Sequence, residues 1–131
     1  MNYKLVKRPN PRNTAAPPRY YAQGITQGKV DIREIAEMIS EKSTLTTIDI
    51  LAVVEALLKS IPRELAKGSI VNLGEFGSFW LTIHSEGSEL PEDFNQTMIK
   101  GTKLNFRPGK LVKNVLDDIT FVKVKAEPSP Q

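Results

Sequence analysis

The chain has no cysteine, one histidine and one tryptophan in 131 residues. The absence of cysteine excludes disulfides, thiolate metal sites and cysteine nucleophiles. The histidine, His84, stands beside Ser85 and Glu86, and adjacent side chains of this kind cannot converge on one reacting atom. A surface histidine is therefore expected, and neither an enzyme nor a cofactor is predicted.

Long apolar runs and nucleotide-binding glycine patterns are also missing. No segment is long enough for a signal peptide or a membrane span, which predicts a cytoplasmic protein without a membrane partner. The four acids of residues 86–93 lack EF-hand spacing, so a solvated acidic loop is expected there and no metal site. Gly74 and Gly77 flank a predicted hairpin turn, where glycine supplies positive φ. No small-molecule substrate is predicted.

What the chain does have is clustered basic charge in an ordinary globular composition, 40% hydrophobic and 25% charged. The net charge is only +3, but residues 1–23 carry five basic residues and no acid. Residues 107–116 carry three basic residues and no acid. Such clustering favours a polyanionic partner more than the total charge does. For residues 1–23 taken alone, a solvated basic tail is an equally good interpretation.

Apolar periodicity predicts two helices in the first half. Ile32, Ile35, Ala36 and Ile39 form one stripe in a helix over Asp31–Glu41, with Asp31 as its N-cap. A second helix follows over residues 47–60 with Thr46 as its cap, and Pro62 is expected to kink or end it, leaving a last turn before Gly68. The apolar surface of this helix is wide. This width favours burial of the helix on two sides, as at a subunit interface, although burial in the core of one subunit could also explain the width.

From Ser69 the period becomes two residues, which predicts strands. Residues 70–73, 78–84 and 103–106 are predicted strands, residues 85–101 a polar irregular segment, and residues 110–116 a short helix. Segments 3–8 and 119–124 also alternate and could pair as extra strands. The predicted organisation is a basic N-terminal extension at 1–29 with a proline-rich loop at 9–19, a domain at 30–118, a C-terminal strand at 119–126 and a disordered tail at 127–131.

Two glycine-bearing motifs, Gly74-Glu-Phe-Gly-Ser-Phe79 and Phe106-Arg-Pro-Gly-Lys110, follow the two helices in order. Over residues 30–117 this order resembles the histone-like HU/IHF family of DNA-binding proteins, in a longer HU-like variant with an added N-terminal segment. The resemblance implies an α+β fold and an intertwined homodimer. Each chain would have two N-terminal helices, a three-stranded antiparallel sheet with a β arm, a C-terminal helix and added terminal strands.

The implied function is largely sequence-independent binding of duplex DNA as an architectural protein of the bacterial nucleoid. The resemblance places Phe76, Phe79 and Phe106 in the dimer core, and Leu51, Val54 and Leu58 of the second helix are added to it. Base stacking is the alternative role for the phenylalanines. The resemblance places phosphate contacts at Arg107, Lys110 and Lys113. The further candidate DNA-binding residues are Lys100, Lys103, Lys7, Arg8, Arg12 and Arg19, the last four as an added basic surface that could compensate for a weak arm.

The arm departs from the family pattern. Residues 85–101 contain no arginine and no Arg-Asn-Pro tip, and four acids there oppose Lys100. The only proline of the segment, Pro91, lies next to Glu92 and Asp93, so intercalation by Pro91 is not expected. The alternative function is a protein-interaction module on an HU scaffold with little or no DNA bending.

Overall fold

The computed structural model describes residues 1–125 as an α+β chain that divides into two compact units. The first unit combines Met1–Lys29 with the chain from Asp117 onward, and the second is Val30–Leu116. The expected disordered tail at 127–131 lies outside the described residues. Among residues 1–125, no helix is long and apolar enough to cross a membrane. The elements are β1 (Asn2–Arg8), β2 (Arg19–Gly24), α1 (Ile32–Glu41), α2 (Thr47–Ala66), β3 (Val71–Asn72), β4 (Gly77–Ser85), β5 (Ile99–Pro108), α3 (Lys110–Asp117) and β6 (Val122–Lys123).

The first unit is built on a three-stranded sheet in the order β2-β1-β6. β1 and β2 are antiparallel from Tyr3↔Gly24 to Arg8↔Arg19, and β6 pairs with β1 in parallel. The amino group of Met1 donates to the carbonyl of Thr120 at 2.6 Å. β2 was not predicted, because its residues Arg-Tyr-Tyr-Ala-Gln-Gly do not alternate and only pairing with β1 makes them a strand. β6 covers two residues of the segment where a strand was expected.

Helix α1 begins as its sequence predicts. The Asp31 side chain accepts a hydrogen bond from the Glu34 backbone N–H at 2.9 Å, which confirms the N-cap. Of its apolar stripe, only Ala36 is buried, whereas Ile35 and Ile39 remain 44% and 41% exposed. The stripe therefore has little cover within one chain.

Helix α2 runs through Pro62 to Ala66, so of the two outcomes expected at Pro62 an end of the helix is wrong. The last turn is retained because Leu65 is buried and its carbonyl accepts from Gly68 N at 2.9 Å. Ser69 N donates to Glu64 O at 3.2 Å, and Gly68 has φ of 87°, which completes a Schellman C-cap. At the other end, Thr46 accepts from the Asp49 N–H, as the capping pattern predicts.

The second unit contains the predicted three-stranded antiparallel sheet, in the order β3-β4-β5. β4 and β5 are longer than expected, so the irregular segment shrinks from residues 85–101 to residues 86–98. Pairing of their backbones overrides the weak strand signal of Ile99-Lys-Gly-Thr102. A bulge between His84 and Ser85 marks the place where regular pairing ends.

The two glycine motifs lie against each other. The N–H of Gly109 donates to the carbonyl of Phe76 at 2.9 Å. A side chain at Gly109 would collide with the backbone of Glu75, and a Cβ at Gly77 would lie 2.5 Å from the Arg107 carbonyl oxygen. The pair of motifs is therefore one structural joint, in which each glycine lets the other motif approach.

Candidate nucleic-acid interface

The β4–β5 register gives the sheet of the second unit two different faces. Residues that pair directly across the two strands have their side chains on the same face of the sheet. One face is defined by four such pairs: Ser78↔Arg107, Trp80↔Asn105, Thr82↔Lys103 and His84↔Gly101. This polar face carries two cations and no acid. The Asn105 amide nitrogen donates to Thr82 Oγ1 at 3.1 Å and to the Trp80 carbonyl at 3.4 Å, which orders its centre.

The opposite, apolar face carries the phenylalanines proposed for a dimer core. Phe79 pairs with Phe106 across the strands, and their ring centroids lie 4.6 Å apart. Phe76 packs against Phe106 at 5.7 Å. Phe76 and Phe106 remain 44% and 41% exposed, and Leu104 on the same face is 57% exposed. The aromatic cluster forms within one chain but is only partly covered by it.

Arg107 lies in the motif Phe106-Arg-Pro-Gly-Lys110, and α3 begins at the last residue of this motif. Arg107 lines a hollow of about 300 Å³ on the polar face, together with Ile70, Ser78 and Trp80. Gly109 accepts from Lys113 N at 2.9 Å, so α3 begins at once with Lys110 and has no acid in its first turn. Positive side chains at a helix N-terminus add to the potential of the backbone dipole. This end of the unit can therefore attract an anion.

Within residues 1–125, the basic residues of this region have no acidic partner. In the part of the chain that the structure describes, ion pairs join Arg33 to Glu37, Lys67 to Glu64 and Lys100 to Glu86. Arg107, Lys103, Lys110 and Lys113 belong to none of them. Lys100 differs from the other candidates, because its ammonium lies 3.7 Å from Glu86 and 3.3 Å from the Thr97 carbonyl.

The segment between β4 and β5 is a compact tip. The Glu86 N–H donates to the Met98 carbonyl at 2.8 Å, which closes it, and two 3₁₀ turns at Pro91–Asp93 and Gln96–Met98 fill it. Pro91 begins the first of these turns and is followed by the exposed acids Glu92 and Asp93. This geometry offers no basic lining for a phosphate backbone.

The basic residues of the N-terminal extension divide between the two faces of its sheet. Arg8 lies directly opposite Arg19, whereas Lys7 lies opposite Tyr20 on the other face. Arg12 lies in the connection between β1 and β2, where its N–H donates to Asn10 Oδ1 at 2.9 Å. The single basic surface expected from Lys7, Arg8, Arg12 and Arg19 is therefore split, because strand pairing alternates side chains between faces.

Sequence reasoning missed the other members of the polar face, above all Trp80 and Asn105. Their signal was present as alternation, since residues 78, 80, 82 and 84 are polar or amphipathic where residues 79, 81 and 83 are apolar. The pairing of Trp80 with Asn105 could not be found without the register.

Comparison with known proteins gives a consistent picture. Residues 1–123 match the model of the family HU-HIG, described as an HU domain fused to a wHTH, Ig or glycine-rich motif. The DNA-binding protein HU of Buchnera aphidicola (subspecies Acyrthosiphon pisum, strain APS) is 30% identical over 88 residues, which are 66% of this chain and 96% of that protein.

Two solved structures are similar in fold. An Anabaena HU–DNA cocrystal structure matches with a TM-score of 0.53 and 22% identity, covering 69% of this chain and all of the HU chain. A protein of Bacteroides vulgatus ATCC 8482, provisionally assigned as a bacterial DNA-binding protein, matches with a TM-score of 0.64 and 14% identity over 98% of this chain. The chain spans half the length of that protein.

Proposed function

This chain belongs to the HU-HIG family of HU-like DNA-binding proteins, and from that premise we propose that it binds duplex DNA as a dimeric architectural protein of the bacterial nucleoid. Binding is largely independent of sequence and involves no catalysis. The observation that carries the proposal is the two-faced β4–β5 sheet, with a polar basic face and an apolar face. Family membership favours this function over a protein-interaction module.

Phosphate contacts come from Arg107, Lys110 and Lys113, and Lys103 extends them along the polar face. These side chains have no acidic partner in the described chain, so they can neutralise phosphates without first breaking an ion pair. Lys100 contributes less, because Glu86 already lies beside it. Affinity of this kind arises from release of counterions and therefore falls steeply with salt.

The tip of the arm does not act as a wedge. Pro91 lies in a 3₁₀ turn beside two acids, and like charge keeps these residues away from phosphate. The protein therefore bends DNA less than a relative whose arm carries basic residues and an intercalating proline. A duplex with fluorophores at both ends measures this, and a large increase in energy transfer on binding would contradict it.

Dimerisation follows from apolar surface that one chain leaves uncovered. Val30–Leu116 has three buried hydrophobic residues, Ala36, Ile50 and Leu65, and its other large apolar side chains are at least partly accessible. Leu51 and Val54 are half-buried, and Leu58 is 45% exposed. Each large apolar side chain that a second copy covers contributes up to about 1.5–3 kcal/mol. A partner copy over the phenylalanine cluster and α2 supplies this cover.

The DNA proposal is tested by fluorescence anisotropy with a 30-base-pair duplex between 50 and 200 mM salt. Changing Arg107, Lys110 and Lys113 to alanine should reduce the slope of log affinity against log salt by about 2.7 per protomer, at about 0.9 per lost contact. The control removes the same charge from the helices, at Lys42, Lys59 and Arg63, and should retain most of the slope. Absence of any complex at 50 mM salt with folded wild-type protein would refute the proposal.

The dimer is tested by sedimentation and by unfolding at several protein concentrations. The unfolding midpoint of a dimer rises with concentration, whereas that of a monomer does not. Leu104→Glu on the apolar face should give monomer or unfolded chain. Thr82→Glu, on the polar face of the neighbouring strand, should remain dimeric and bind DNA more weakly. A concentration-independent midpoint with a folded wild-type monomer would exclude the dimer.

A further inference from the structure

The N-terminal sheet contains a cleft that the proposed HU-like contacts do not use. It has a volume of about 310 Å³ and is lined by Arg8, Asn10, Ala16, Pro17, Arg19 and Tyr21, which we name the arginine cleft. One water molecule needs only about 10–15 Å³ of such space, so the cleft has room for a much larger group such as a phosphodiester.

Strand register places its two arginines side by side. Arg8 and Arg19 form a directly opposite pair of β1 and β2, and directly opposite side chains have Cβ atoms about 4.5–5.5 Å apart. Like charges in that position destabilise a sheet. Residues 1–29 contain no acid, and no ion pair within residues 1–125 includes either arginine. Both arginines are exposed and have no neutralising partner among the described residues, so they are accessible to an external anion.

The walls of the cleft are held by the connection between the two strands. The Asn10 side chain accepts from Arg12 N at 2.9 Å, and the Asn13 side chain accepts from Ala15 N at 3.2 Å. The backbone bonds Asn13 N to Asn10 O and Ala16 N to Asn13 O continue this pair of Asx turns. The folded connection places Asn10 and Ala16 beside the arginines, so the site is concave.

The opposite face of the same sheet has different chemistry. A second hollow there is lined mainly by apolar side chains, including Leu5, Ala22 and Phe121. Lys7 also lies on this face, and so does Lys123, which pairs with Tyr3. Charged side chains therefore line the hollow on one face only, the one that carries Arg8, Arg19 and Tyr21.

We propose that the arginine cleft binds a phosphodiester group of nucleic acid, as a second contact separate from Arg107 and α3. Arg8 and Arg19 bind the phosphate oxygens together, and a planar guanidinium can donate two parallel hydrogen bonds to such a group. The Tyr21 hydroxyl, on the same face, adds a neutral donor. This inference rests on the proposed DNA-binding function for the identity of the phosphate donor.

The test compares two double variants of the full chain that lose the same charge. Arg8→Gln with Arg19→Gln removes the cleft, and Lys29→Gln with Lys123→Gln removes two cations that do not line it. The cleft variant should lower the slope of log affinity against log salt by about 1.8 per protomer. The ratio of wild-type affinity to variant affinity should therefore fall about 12-fold between 50 and 200 mM salt. The control should keep the wild-type slope. Thermal unfolding of the cleft variant should be no less cooperative, because a repulsive pair is removed.

Each other outcome counts against the cleft. Equal salt slopes for the cleft variant and the wild type would overturn the site while leaving the proposed function intact. Equal losses of slope in the cleft variant and the control variant would show that only the net charge matters, and this too would overturn the site. Competition by polyglutamate as strong as that by unlabelled duplex would assign the cleft to acidic protein instead. If wild-type protein binds no duplex, the proposed function fails. In that case the cleft is tested by the NMR chemical shifts of Arg8 and Arg19 Nε–Hε during titration with inorganic tripolyphosphate. Shifts that do not change would overturn the proposed anion site.

Discussion

Replacing Gly77 with alanine tests the idea that the two glycine motifs form one joint. Gly77 has φ of 148° and ψ of −174°, a backbone region that is essentially restricted to glycine. Forcing another residue into it costs about 1–3 kcal/mol. The new Cβ would also lie 2.5 Å from both the Arg107 carbonyl oxygen and the Phe106 ring, and overpacking of this kind costs a further ~1–3 kcal/mol.

The expected loss of unfolding free energy is thus about 2–6 kcal/mol, a large part of the 5–15 kcal/mol that holds a typical domain together. Two other glycines distinguish the cost of the backbone conformation from the cost of the steric overlap. Gly74 has φ of 61° with nothing within 4 Å of its Cβ position, so its replacement by alanine should cost only about 1–2 kcal/mol. Gly87 has open space and no positive φ, and its replacement should change stability by less than about 0.5 kcal/mol.

Urea unfolding followed by tryptophan fluorescence is the assay, at one fixed protein concentration because a dimer would couple stability to concentration. The only tryptophan, Trp80, lies on β4 three residues after Gly77 and reports on this sheet. If Gly77→Ala were as stable as Gly74→Ala to within about 0.5 kcal/mol, the close approach of the two motifs would not be an energetic constraint. Failure to fold at all agrees with the upper end of the range, and Gly109→Ala, which meets the Glu75 backbone, should then fail in the same way.

Three further outcomes are expected. Thr46→Ala should lower the unfolding free energy by about 1 kcal/mol and Thr46→Ser should restore it, because the hydroxyl caps α2; equal stability of both would exclude the cap. Gly68→Ala should cost about 1 kcal/mol in the same urea assay through its positive φ, and no loss would contradict the C-cap. Glu92→Gln with Asp93→Asn should strengthen duplex binding by about 0.2–1 kcal/mol per charge, whereas an unchanged affinity would show that the acids of the tip do not oppose binding.

Much of the fold could be read from local patterns. The α1 stripe and its Asp31 cap, the Thr46 cap of α2 and the Gly74–Gly77 turn are each determined by residues within a few positions of one another. Local signals failed where pairing or packing outweighed them. Examples are β2, which exists because β1 lies beside it, and the unbroken course of α2 through Pro62.

The candidate contacts show the same division. Clustering of basic residues at 107–116 was visible in the sequence, and so was the shortage of basic charge in the arm. The sequence did not show which cations have an acidic partner, because the ion pair of Lys100 with Glu86 joins residues on opposite sides of the tip. Trp80 and Asn105 likewise meet only through the register of β4 and β5.

The sequence by itself determined the helices, the turns and the two glycine motifs, because caps, periodicity and φ preferences act within a few residues. It also determined that basic charge is concentrated before residue 24 and after residue 106. Only the tertiary structure decided which cations of different strands share a face, since one step of strand register moves a side chain to the other face. Alternation along β1 already separates Lys7 from Arg8, but only the pairing with β2 brings Arg19 to the side of Arg8 and forms the cleft.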